Sequence, residues 1–145
     1  MTMIAKAPLD MTRSELDDLF GASPPGDIPT GRGRGTAIAY PGSRITTPFA
    51  AYTRAVLWQG KQFRPESHDL LNLITPFSLK AIRAEVYEGE SWFDGKPCIV
   101  LDYSKSSKVA RRIRDEIRQV RPNEYLGVVF QGARRLRVYF WLRFE

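Results

Sequence analysis

One cysteine and one histidine in 145 residues remove several common chemistries at the outset. Cys98 has no partner for an intrachain disulfide, and its place in the apolar run Cys98-Ile-Val-Leu101 predicts a buried, inert thiol. No oxidative maturation is implied, so a cytoplasmic location is expected. A lone His and a lone Cys cannot furnish a closed metal site, and neither a metal nor a cofactor is expected. Any histidine-based catalysis would have to use His68. Ser67-His68-Asp69 spells a triad in letters only, because neighbouring strand residues point apart and working triads are assembled from distant positions. His68 therefore reads as a surface residue in a loop. No apolar run approaches the roughly 20 residues that span a bilayer, so no transmembrane segment is expected. The first thirty residues also lack the basic start and apolar block of a signal peptide. Internal repeats and low-complexity tracts are absent.

What the chain does carry is a moderate basic excess, net charge +6 with a pI of about 9.7. Its densest cluster is Arg111, Arg112, Arg114, Arg118 and Arg121, with Arg134, Arg135 and Arg137 close behind. Five arginines on one element could track phosphates. Asp115 and Glu116 interrupt them, however, and none of the familiar nucleic-acid signatures is present, so a solvated face is expected instead. A hydrophobic content of 43% and this length suit one domain with a real core. Residues 1–11 read as a loose tail and 12–145 as that single domain.

The clearest pattern lies at the end of the chain. From Arg134 to Glu145 the sequence alternates at period two, with Leu136, Val138, Phe140, Leu142 and Phe144 on one face and Arg137, Tyr139, Trp141 and Arg143 on the other. This is a strand that needs something to pack on. Upstream, Thr12-Arg-Ser-Glu15 spells a capping box opening a short helix with Leu16, Leu19 and Phe20 on one side and Gly21 past its end. Residues 22–35, rich in Pro and Gly, read as a loop, and Gly31-Arg-Gly-Arg-Gly35 as a flexible, basic entry to a strand at 36–40 rather than a phosphate cradle. Thr47-Pro48 predicts a second helix running to about Leu57. Short strands follow at 57–63, 70–75, 81–88 and 97–103, with Asp94-Gly95 as the strongest hairpin signal. Val109, Ile113, Ile117 and Val120, spaced mostly by four, predict a third helix over 108–121, supported by Arg111–Asp115 and Arg112–Glu116 pairs. A strand at 125–131 and a turn at Gly132-Ala133 lead into the last strand.

Helices that interrupt a run of strands argue for an α+β protein with an antiparallel sheet. About seven strands with two or three short helices are expected, closing into a lipocalin-like β-barrel or a strongly curved sheet. The pieces Trp58-Gln-Gly-Lys-Gln-Phe63, Asn72-Leu-Ile-Thr-Pro76, Ile99-Val-Leu-Asp-Tyr-Ser104, Ile113-Arg-Asp-Glu-Ile-Arg118 and Tyr125-Leu-Gly127 resemble those of small bacterial proteins grouped with lipocalin-like barrels. The resemblance implies the fold over roughly residues 12–145 and no catalytic motif.

A small barrel with aromatics inside is expected to bind an apolar small molecule of fatty-acid-like kind, with or without an anionic end. Trp58, Phe63, Tyr87, Trp92, Tyr103, Phe130 and Trp141 are the interior candidates. Arg137-Val-Tyr139 is similar to the Arg-x-Tyr pair with which intracellular fatty-acid-binding barrels hold a carboxylate, since residues two apart share a face and Arg can bind a carboxylate through two bonds. Simple patterning favours the opposite arrangement, with Leu136, Val138 and Phe140 inward and Arg137 and Tyr139 in solvent. An enzyme on the same scaffold, a cyclase, isomerase or decarboxylase, is the first alternative. It would need a buried carboxylate with a raised pKa, for which Glu85, Asp102 and Glu124 are candidates. A binder of nucleic acid or an anionic surface is the second alternative, and the oligomeric state is left open.

Overall fold

The computed structural model of the chain describes residues 6–39, 58–74, 79–105 and 110–145. Its strands are β1 (Gly31–Ala39), β2 (Trp58–Arg64), β3 (Asp69–Ile74), β4 (Leu79–Glu90), β5 (Pro97–Asp102), β6 (Ile113–Arg121), β7 (Glu124–Gln131) and β8 (Arg134–Phe144). Each pairs antiparallel with the next, and β8 returns to β1, so eight strands close a barrel rather than about seven. The one α-helix among the described residues is α1 (Arg13–Ala22). Among them, no helix is long and apolar enough to cross a membrane.

The capping box forms as expected. Thr12 Oγ1 accepts from the Glu15 amide at 3.1 Å, and the Glu15 carboxylate accepts from the Thr12 amide at 3.0 Å. The helix runs past Gly21 to Ala22, because Ser23 closes it by donating its hydroxyl to the Leu19 carbonyl at 2.7 Å. Leu16, Leu19 and Phe20 pack on the outside of the barrel against Ile38, Leu126, Val128, Phe130, Tyr139 and Trp141. Strands β7 and β8 therefore carry apolar residues on both faces, because α1 covers their backs. Arg118 fastens this layer. It is buried, donates to the Phe20 carbonyl at the helix end (2.9 Å) and grips Asp94 of the β4–β5 turn with two bonds of 2.7 Å.

Two expectations are corrected. The helix predicted over 108–121 is strand β6. A spacing of four residues is shared by one helix turn and two strand repeats, so Ile113 and Ile117 fit both; Asp115, which stands between them on the inward face, hid the alternation. The carboxylates of the expected helix pairs have other partners: Asp115 meets Lys61, and Glu116 meets Arg114. The basic entry loop is in turn part of β1. Gly33 and Gly35 alternate inward, where the rings of Phe144 and Trp58 lie over them and leave no room for a Cβ. The helix predicted from Thr47 lies outside the described residues, as does the start of the 108–121 segment.

Gly127 on β7 works in the same way, seating the Phe140 ring from β8. Gly127→Ala should destabilise the protein by about 1–3 kcal/mol, the usual cost of overpacking. The urea midpoint measures it, and adding Phe140→Leu should recover part of the loss.

Candidate functional site

Inside the barrel the residues fall into layers along the axis. One half is filled by Phe63, Leu70, Val86, Ile99, Ile117 and Phe144, among others. The other half holds a cavity of about 400 Å³ walled by Trp58, Ile82, Ile113, Val138 and Phe140. Between them lies a polar layer built from four strands or strand ends: Lys61 on β2, Asn72 on β3, Tyr103 just past β5 and Asp115 on β6. The register puts them level. Lys61 pairs directly with Asn72, and Asp115 pairs with Leu101, two residues from Tyr103 on the same face. Lys61 and Asn72 thus face Tyr103 and Asp115 across the lumen.

Lys61 Nζ donates to Tyr103 Oη at 2.6 Å, Asn72 Oδ1 at 2.8 Å and Asp115 Oδ2 at 3.3 Å, which uses all three of its protons. Asn72 Nδ2 donates to the Ile82 carbonyl (2.8 Å) and Tyr103 Oη (3.0 Å), while Trp58 Nε1 donates to Asn72 Oδ1 (3.0 Å). The Tyr103 hydroxyl donates to Asp115 Oδ2 at 3.3 Å. The rings of Phe140, Tyr103 and Trp58 lie 5.1, 5.3 and 5.5 Å from the ammonium. One atom stands apart: Asp115 Oδ1 is buried and has no hydrogen-bond partner among the described residues.

Lys61 is 3% and Asp115 4% exposed, so burial is the largest influence on both charges and acts against each. The two partners end in the same direction for different reasons. Lys61 lies above its ordinary value because Tyr103 and Asp115 outweigh burial, whereas Asp115 lies above the usual carboxylate range because burial outweighs Lys61. Burial likewise raises Tyr103. The ammonium is the charge the site holds most firmly, since three acceptors and three rings surround it.

Of the residues singled out from sequence, Trp58 and Tyr103 border the cavity and Phe63 lies in the filled half. Tyr139 also lies along the cavity wall, but its ring packs beneath α1, as do those of Phe130 and Trp141. Arg137 is exposed, while Tyr139 is buried beneath α1, where its hydroxyl meets Asp17 and Arg135; burial first, then Asp17, pushes it up to about 12. The pair therefore does not converge on the lumen. Trp141 lies under α1 and donates to Glu124 at 2.9 Å, Phe130 packs edge-on to Trp92, and Tyr87 donates to Asp102 at 2.9 Å. Glu85, Asp102 and Glu124 are all half-buried. His68 is exposed at a left-handed φ of 52°, and the neighbouring Asp69 is taken by Arg64 and Arg83. Cys98 is fully buried, and burial pushes its thiol up to about 12.

Sequence reading missed Lys61, Asn72 and Asp115. The signal was present: each is a polar residue two positions from an inward apolar one, namely Phe63, Leu70 and Ile113 or Ile117. A polar side chain in an apolar register is the informative exception.

A solved structure described as a protein from Thermomonospora curvata is similar, with a TM-score of 0.61, 19% identity, and coverage of 94% of this chain and 89% of that one. At this identity the likeness shows the fold alone, an antiparallel β-barrel. No family model and no curated protein matches the chain.

Lys61→Met should leave Asp115 buried without its counter-charge and cost about 3–5 kcal/mol at neutral pH. Asp115 then sits higher still above its unfolded value, so the stability it contributes is present below the ordinary 3.8 and lost as pH rises through the folded value. The deficit against wild type should be smallest in acid and grow towards neutrality, as urea titrations over pH would record.

Proposed function

We propose that the protein is a binding module for an apolar small molecule, held in the open half of the barrel with its polar end on the Lys61–Asn72–Tyr103–Asp115 layer. The observation that carries this reading is the combination of a largely apolar cavity with one convergent polar group of residues. A volume of about 400 Å³ falls within the range of roughly 300–1,000 Å³ usual for small-molecule sites. A lipocalin-like relationship belongs to the same proposal, because an eight-strand up-and-down barrel has room to hold one small ligand. Lipid-like ligands, with or without an anionic end, fit the walls. A cytoplasmic location is part of the same reading, and the single free, buried Cys98 supports it.

An enzyme on this scaffold is the second reading, and Asp115 favours it. The buried carboxylate that an isomerase or cyclase would require stands in the cavity wall with its pKa raised by burial. Tyr103 and Lys61 would then stabilise charge on the substrate's oxygen.

Native mass spectrometry of the freshly purified protein, followed by titration with the neutral fluorophore N-phenyl-1-naphthylamine, tests the binding reading. The fluorophore should bind with one site per chain. Ile113→Trp, which fills the cavity wall, should weaken it by about ten-fold or more, and Arg137→Ala, outside the lumen, should leave it unchanged. Equal binding by wild type and Ile113→Trp would contradict the proposal.

A further inference from the structure

The hydrogen bonds of the polar layer define what kind of ligand it can take. Lys61 has committed all three protons, Asn72 makes four bonds, and Tyr103 accepts two and donates one. No donor is left over. What remains among the described residues is a single acceptor, Asp115 Oδ1, itself enclosed, on a side chain only 6% exposed that borders the cavity. Charge is already balanced, because the Lys61 ammonium lies 3.3 Å from the other oxygen of the same carboxylate.

We propose that the ligand is a neutral, largely apolar molecule that presents one hydrogen-bond donor, a hydroxyl or an N–H, to Asp115 Oδ1. This rests on the reading of the barrel as a small-molecule binder and narrows its ligand class. A carboxylate is the poorer match. It would bring a second negative charge beside Asp115, and to bond Lys61 it would have to break one of the bonds that ammonium already makes. A protonated amine is disfavoured for the converse reason, since it would share Asp115 with Lys61. A neutral donor leaves the four-residue network intact and satisfies its last atom, while the rest of the molecule lies against Trp58, Ile82, Ile113, Val138 and Phe140. Arg137, the anion-binding candidate on sequence grounds, is exposed and is not among the described residues that line the cavity.

The test is a set of chain-matched probes titrated into the wild-type protein at neutral pH: 1-decanol, its methyl ether, decanoate and decylamine. The inference expects 1-decanol to bind about ten-fold or more tightly than the ether, which keeps the oxygen and loses the donor, and more tightly than decanoate or decylamine. Asp115→Asn, whose amide offers a donor as well as an acceptor, should reduce the preference of alcohol over ether to two-fold or less if the variant folds; the wild-type series stands without it. Equal binding of alcohol and ether, or tighter binding of decanoate, overturns the inference while leaving the binding module intact. Failure of all four probes to bind overturns both.

Discussion

Strand β8 closes the barrel by pairing with β1 from Gly33 opposite Phe144 to Ala39 opposite Val138, and both surfaces of the molecule follow from that closure. An open sheet would expose the edges of β1 and β8 to association with other chains. Closed, the sheet acquires an inside, and the alternation of β8 assigns Phe140, Leu142 and Phe144 to it. The same alternation sends Tyr139 and Trp141 outward, where they form the seat for α1. The glycines of β1 make the closure possible. Gly33 and Gly35 face inward beneath Phe144 and Trp58, and Gly60 brings the backbone of β2 so close to β1 that a Cβ there would strike Gly33 and Gly35.

Within that enclosure, a polar layer is an expensive choice. Burying an ammonium and a carboxylate costs several kcal/mol per ion, and their attraction offsets this only when the remaining atoms are also hydrogen-bonded. A layer that served only to fix the register of opposing walls would satisfy every atom. Here Lys61, Asn72 and Tyr103 are saturated and Asp115, which borders the cavity, is half-satisfied, its Oδ1 enclosed without a partner among the described residues. The filled half of the barrel holds the layer rigid from one side, so the polar groups are set before a ligand arrives and little ordering cost falls on binding.

Much of this architecture was legible in the sequence, and the failures have physical causes. Strong local rules held: the period-two run of β8, the Thr12–Glu15 capping box and the Asp94-Gly95 hairpin all appear where expected. Elements failed where a polar or small residue occupies an inward position. Asp115 broke the alternation of β6 and turned the four-residue spacing of Ile113 and Ile117 into an apparent helix. Gly33 and Gly35 made β1 look like a loop, though their missing side chains are what the aromatic rings occupy. The site was obscured for the same reason. Lys61 received no reading of its own, and attention went to Arg137 and Tyr139, of which Arg137 is exposed and Tyr139 is buried beneath α1.

The presence of a ligand in the open half of the barrel is read most directly at Trp58, which borders the cavity, against two tryptophans outside it. Trp92 is exposed and Trp141 lies beneath α1. Fluorine-labelled tryptophan gives three resonances, assignable through single Trp→Phe variants, that can be followed by NMR as 1-decanol is added. The account predicts a saturable shift of the Trp58 resonance with Trp92 and Trp141 unmoved. A stationary Trp58 resonance, with Trp92 or Trp141 shifting in its place, would contradict it.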